Sequence, residues 1–154
     1  MVSPEADKKI DELIARYPVK RSAILPVLFV VQGELGYLPD EAMYYAAKKL
    51  DLTYMDVAST ASFYTMFYRQ PMGRYNIQLC RNISCYLCGC EEIKGYLEKK
   101  LGIRFGETTS DGRFTLMEVE CIGACSWAPA MQINFDFHQD LTPEKIDQVL
   151  DELP

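Results

Sequence analysis

Histidine occurs once in this 154-residue chain, as His138, and tryptophan once, as Trp127. One histidine excludes a Rieske centre, in which two imidazoles bind one iron. No Ser/His/Asp order, Walker loop or G-x-G-x-x-G is present, so nucleophilic hydrolysis, phosphate cradling and dinucleotide binding have no recognisable motif here. Basic residues are outnumbered, 16 Lys and Arg against 22 Asp and Glu for a net charge of −6, and they form no cluster. Nucleic acid, whose affinity comes largely from phosphate neutralisation, is excluded as a partner class. Long apolar runs are missing as well. Ala23 to Val31 is broken by Pro26 and too short to span a bilayer, and Met-Val-Ser-Pro-Glu-Ala-Asp lacks the basic and apolar regions of a signal peptide. The expectation is a cytoplasmic protein with no direct membrane insertion.

What is present is an ordinary globular composition, 49% hydrophobic and 25% charged, and six cysteines, all between Cys80 and Cys125. In a reducing compartment they are read as metal ligands or redox groups before disulfides. Two pairs stand out, Cys80-Arg-Asn-Ile-Ser-Cys85 and Cys121-Ile-Gly-Ala-Cys125. A [2Fe–2S] cluster takes four thiolates, and two short cysteine pairs at one end of a small sheet would supply them.

The elements around those pairs follow from periodicity and capping signals. Ser3-Pro4 opens a helix ending near Pro18, Ser22 caps a second that stops at Gly33 to Gly36, and Asp40 caps a third. Thr53 and Asp56 have capping-box spacing for a fourth. After Pro71-Met72-Gly73 the pattern changes to alternation. Tyr75, Ile77 and Leu79 predict a strand delivering Cys80, a loop holds Cys85, and a helix runs from about Tyr86 to Gly102. Ile103 to Thr108 and Phe114 to Cys121 read as a hairpin around Ser110-Asp111-Gly112. Met131 to Phe137 reads as one strand with a wet face, and Thr142-Pro143 opens a last helix. The fold class is α+β, with helices layered on a sheet.

Six cysteines must be divided into ligands and others. Cys80-x4-Cys85-x2-Cys88 also fits plant-type ferredoxin spacing. On a helical wheel, however, Cys90 falls on the apolar face with Leu97 and Cys88 on the opposite one. Cys90 is then a core residue and Cys88 a surface thiol, which leaves Cys80, Cys85, Cys121 and Cys125. A zinc-stabilised, non-redox interaction module is the alternative from another class, although only the second pair has the usual zinc spacing. A dithiol at Cys85 and Cys88 leaves Cys121 and Cys125 without a role. His138 is expected at the surface, and Trp127 either shields a cluster or packs on the sheet. Phe63 to Tyr68 cannot all face inward on a helix, so some of them meet solvent or a partner.

Cys80-x4-Cys85, Glu118 to Cys125, Ala128-Pro129 and Gln132-Ile133-Asn134, with Gly36-Tyr37-Leu38-Pro39 and Ala61 to Phe67, together resemble the thioredoxin-like [2Fe–2S] ferredoxin family. Within that family the resemblance is to the E-type subunits of NADH:quinone oxidoreductase, respiratory complex I, and it covers nearly the whole chain. It implies an N-terminal helical bundle, residues 1–70 and partner-binding, followed by a thioredoxin-like domain, residues 71–154, with a four-stranded sheet flanked by helices. It implies one [2Fe–2S] cluster on Cys80, Cys85, Cys121 and Cys125. FMN and NADH would be bound only by a partner flavoprotein subunit, within a peripheral arm on the cytoplasmic face of the membrane. The equivalent diaphorase subunits of NAD(P)-linked hydrogenases and formate dehydrogenases carry the same resemblance. The family pattern does not require Cys88 or Cys90.

Overall fold

The computed structural model describes residues 2–154. The chain divides into two compact units, Met1–Pro71 and Met72–Pro154. The first is helical: α1 (Pro4–Ile14), a 3₁₀ turn at Lys20–Ala23, α2 (Ile24–Leu35), α3 (Asp40–Leu50) and α4 (Tyr54–Phe63). α2 is apolar around most of its circumference, as a central helix must be, and it packs against α1, α3 and α4. Pro26 falls in its first turn, where the missing N–H breaks no helical bond.

Capping residues mark some of these boundaries. The Ser3 side chain accepts from the Ala6 N–H, and Thr53 with Asp56 closes both halves of a capping box. The other two expected caps are not formed. Ser22 lies inside the 3₁₀ turn that feeds α2 directly, and Asp40 is the first helical residue of α3, with Pro39 in the cap position.

The second unit contains β1 (Tyr75–Cys80), α5 (Ile83–Leu87), α6 (Cys90–Leu101), β2 (Phe114–Val119), β3 (Met131–Ile133), β4 (Asp136–His138) and α7 (Pro143–Glu152). The sheet order is β2-β1-β3-β4. β1 is parallel to β2 and antiparallel to β3, and β3 is antiparallel to β4. Tyr75, Ile77 and Leu79 pack with Ile93 and Leu97 of α6 and with Ile146 and Leu150 of α7. This is the α+β, thioredoxin-like arrangement that the resemblance implies.

Four strands are found, but their membership differs from the sequence reading. Ile103 to Thr108 is not a strand. Gly106 has φ of +93°, and what remains of the hairpin is one antiparallel bridge, Thr108 to Thr115, with the Gly106 N–H donating to the Leu116 carbonyl. The alternation from Met131 to Phe137 conceals a two-residue turn in which Asn134 takes φ of +54°. Directly paired residues share a face. Asp136 therefore lies beside Ile133 and His138 beside Met131, while Phe135 and Phe137 are exposed.

Candidate metal centre

Parallel pairing of β1 with β2 sets the register on which the centre depends. Cys80 ends β1 opposite Val119, the last residue of β2 and two residues before Cys121. Both segments thus leave the sheet at the same end. Beyond β1, Asn82 caps α5 by accepting from the Ile83 N–H. Cys85 sits on α5, a one-turn helix where a loop was expected, and that helix turns its thiol inward. The long helix expected from Tyr86 is broken at Gly89, whose φ of +90° a residue with a Cβ rarely adopts, and α6 begins at Cys90.

Beyond β2, residues 121–125 form a loop around Gly123, and a 3₁₀ turn at Cys125–Trp127 leads through a cis Ala128–Pro129 bond toward β3. The Cys80 N–H donates to the Ala130 carbonyl at 3.1 Å, which ties this return segment to the end of β1.

The structure brings the four expected ligands together as two pairs. Cys121 Sγ and Cys125 Sγ stand 3.4 Å apart, and Cys80 and Cys85 are both buried in one small cluster. The pairs are mutual neighbours. α5, which carries Cys85, packs against the 3₁₀ turn that begins at Cys125, and Cys80 and Cys85 pack with Ala124. All six cysteines are free; Cys80, Cys85 and Cys90 are buried, and Cys88, Cys121 and Cys125 are exposed.

Burial of Cys85, and then its bond to Cys80, pushes that thiol up to about 11. At Cys121 the Gly123 N–H, 3.4 Å from Sγ, holds the thiol below its ordinary value, with the Cys125 thiol acting the same way. Cys125 is raised in turn, chiefly by Cys121.

Among the described residues no three His, Cys, Asp or Glu side chains are gathered as they would be around one ion. Thiols in two adjacent pairs suit a centre with two irons, each bound by two sulfurs. The donor set therefore fits a [2Fe–2S] cluster. A scan against protein-family models matches residues 10–154 to the family described as thioredoxin-like [2Fe-2S] ferredoxin.

The chain belongs to this family. Its class is accordingly oxidoreductase, and its cofactor one [2Fe–2S] cluster. Among curated relatives, an NADH-quinone oxidoreductase E-type subunit, the second of that type in Rhizobium meliloti (strain 1021), is 46% identical over 144 residues, 94% of this chain and 86% of the relative. The NADH-quinone oxidoreductase E-type subunit of Rickettsia felis (strain ATCC VR-1525 / URRWXCal2) is 46% identical over 145 residues, 92% of this chain and 87% of the relative. Among solved structures, an NAD+-reducing [NiFe]-hydrogenase in its H2-reduced state superposes with a TM-score of 0.71 at 25% identity, over 82% of this chain. This chain spans only 22% of that hydrogenase chain.

The remaining residues singled out from the sequence fall around the family's cluster loops or away from them. Cys90 packs with Cys80, Cys85, Ala124 and Ala130 in a small apolar cluster, and Cys88 is exposed at the end of α5. Trp127 is about half exposed. His138 is half-buried in β4, and loss of solvation holds its imidazole below the usual value. Two contributors were not read from sequence: the Gly123 N–H beside Cys121 and the Asn82 cap. Only Asn82, two residues after the expected strand end, carried a recognisable signal.

Proposed function

We propose that this chain is the electron-transfer subunit of an NADH-oxidising complex of the NADH:quinone oxidoreductase type, with its [2Fe–2S] cluster held by Cys80, Cys85, Cys121 and Cys125. The observation carrying this reading is the parallel register of β1 and β2, which ends both strands at the same end of the sheet, where the two cysteine pairs follow. When bound, the cluster supplies one-electron exchange, here with the FMN of a partner flavoprotein subunit that also holds NADH.

The chain's own residues provide ligation, orientation and tuning. The Gly123 N–H beside Cys121 favours its thiolate, the form that binds iron. Burial raises the Cys85 thiol, and the Ala130 backbone N–H acts in the opposite direction. Such N–H donors, together with the burial of Cys80 and Cys85, are the levers by which a protein adjusts a cluster's potential. The helical region, residues 1–70, serves partner binding in this reading, supported by the exposed Phe63 and Met66.

Among the described residues no helix is long and apolar enough to cross a membrane. A place in a peripheral arm on the cytoplasmic side is part of this proposal. The hydrogenase likeness supports the equivalent diaphorase role as a second setting for the same chemistry.

EPR of anaerobically purified, dithionite-reduced protein is the test, with iron, sulfide and zinc measured on the same sample. An S = 1/2 signal with iron and sulfide in equal amounts is expected. Stoichiometric zinc without iron would replace this reading with a zinc-stabilised interaction module.

A further inference from the structure

Glu118 sits where the two cysteine-bearing segments run side by side. It pairs with Leu79, the residue before Cys80, and lies on the strand that leads to Cys121. Beyond Cys80 the Arg81 N–H extends the ladder by donating to the Val119 carbonyl at 3.0 Å. The Arg81 guanidinium then turns back and donates to Glu118 Oε2 at 2.9 Å. Glu118 Oε1 meets Lys94 Nζ of α6, and that ammonium also lies 5.6 Å from the centroid of the Phe105 ring. Each carboxylate oxygen thus holds one cation, and the cations come from different segments. Arg81 belongs to the stretch between Cys80 and Cys85, Lys94 to the helix that opens at Cys90.

Such a triad does little for stability as a whole. The Arg81 side chain is 53% exposed, and ion pairs open to water contribute little to folding. Its placement is what sets it apart. Lys49 with Asp7 and Lys100 with Asp147 tie helix to helix, whereas Glu118 ties the strand leading to Cys121 both to the residue after Cys80 and to α6. Lys94 first, against desolvation and with Arg81 behind it, holds the Glu118 carboxyl below its ordinary value. At neutral pH the triad therefore carries two positive charges and one negative.

Resting on the function proposed above, we infer that Glu118 is a positioning residue for the electron-transfer centre: with Arg81 and Lys94 it fixes the segment carrying Cys80 and Cys85 against the one carrying Cys121 and Cys125. Groups that orient ligands from outside their shell also act on the potential of the centre. Reduction adds one negative charge to a [2Fe–2S] cluster, so the Glu118 carboxylate opposes it and the two cations favour it. Removing one sign or the other from the triad then moves the potential in opposite directions.

The test compares the unmodified chain with Glu118→Gln, Glu118→Asp and Arg81→Gln, each purified anaerobically with its iron. Glu118→Gln is expected to release iron to a chelator about two- to fivefold faster, the scale of a partly exposed ion pair, and to raise the midpoint potential followed by EPR. In the cluster-free chain the same change should speed hydrogen exchange at residues 80–88 and 119–127 and leave α7 unchanged. Glu118→Asp keeps the charge and should keep the potential. Arg81→Gln, at an exposed side chain, should also speed iron release but lower the potential, and it carries the test if Glu118→Gln does not fold. Wild-type iron release and potential in Glu118→Gln and Arg81→Gln would overturn the positioning role and leave the proposed function standing. Faster iron release matched by a fall in the midpoint of denaturant unfolding, without opposite shifts in potential, would make the triad a stability element and overturn the role as well. If the unmodified chain gives no [2Fe–2S] signal, the proposed function falls and this role with it.

Discussion

The helical unit draws Ile10, Val27, Leu28, Val31, Met43, Leu50 and Val57 into a single hydrocarbon core and contains no cysteine. In the sheet unit the interior is split. Ile77, Leu97, Leu116, Met131 and Ile146 form a hydrocarbon core between sheet and helices, while Cys80, Cys85, Cys90, Ala124 and Ala130 form a separate cluster of sulfur and methyl groups at the sheet edge. Alanines and thiols bury too little area to hold two loops by themselves. The helical unit thus holds together without a metal, whereas this end of the sheet unit is completed by ligation in the proposed reading.

Removing a ligand is the strongest way to break that contrast. Cys121→Ser is expected to abolish or severely alter the visible and EPR spectra and to increase hydrogen exchange in α5 and residues 120–130, leaving exchange in α2 unchanged. Cys88→Ser, at an exposed thiol, should retain the chromophore and its iron. Loss of iron from the Cys88 variant, with iron kept in a Cys80 variant, would show that the ligands are assigned wrongly.

A smaller effect sharpens the same contrast by placing one defect in each core. Leu28 in α2 and Leu79 in β1 are both buried, so each change to alanine should cost about 2–5 kcal/mol. The consequences at the metal centre should differ. Leu79 precedes Cys80, and a cavity there loosens the strand end that presents the first ligand, so Leu79→Ala should also lower iron per chain. Leu28→Ala should lower the midpoint of denaturant unfolding and leave iron content unchanged. Equal iron loss in both variants would mean that the centre depends on the helical core too.

The sequence was most legible where a rule is local and chemically specific. Thr53 and Asp56 three residues apart can satisfy each other's backbone groups, and they do. The cysteine pairs stood out because few residue patterns bind metal, and the structure sets Cys121 and Cys125 side by side. The turn at Asn134 was hidden because a two-residue turn between short strands does not interrupt an alternating pattern of aromatic and polar residues. Phe135 and Phe137 looked like a continuation of Met131 and Ile133, although the turn carries Phe137 to the opposite face, beside Gln132. The break at Gly89 was missed for a related reason. Tyr86, Cys90, Ile93 and Leu97 have helical spacing, but Tyr86 belongs to the preceding turn and is exposed. The N–H donors to Cys85 and Cys121 come from the backbone of Ala130 and Gly123, and no side chain announces them.

The smallest expected effect concerns a feature that the two units share. In each, a tyrosine and a lysine four residues apart on one helix clamp an aspartate of another. Tyr45 and Lys49 of α3 hold Asp7 of α1, and Tyr96 and Lys100 of α6 hold Asp147 of α7. Lysine first and tyrosine second keep both carboxyls below their ordinary value of 3.8. Desolvation and the bond to Asp7 push Tyr45 up to about 12. A carboxyl with a depressed folded-state value stabilises the fold at pH above its unfolded value, and that contribution is lost as pH falls through the folded one. Both clamps should therefore be intact above about pH 4 and release below it. The carboxylates are exposed, so the effect is screened and modest. Asp7→Asn should flatten the acid limb of stability for the helical unit alone, and Asp147→Asn that of the sheet unit alone, read by hydrogen exchange in α1 and α7 between pH 2 and 5. Carboxyl titration by NMR gives the direct check. An Asp7 resonance titrating at the ordinary carboxyl value, with Asp147 depressed, would make the clamp a property of the sheet unit only.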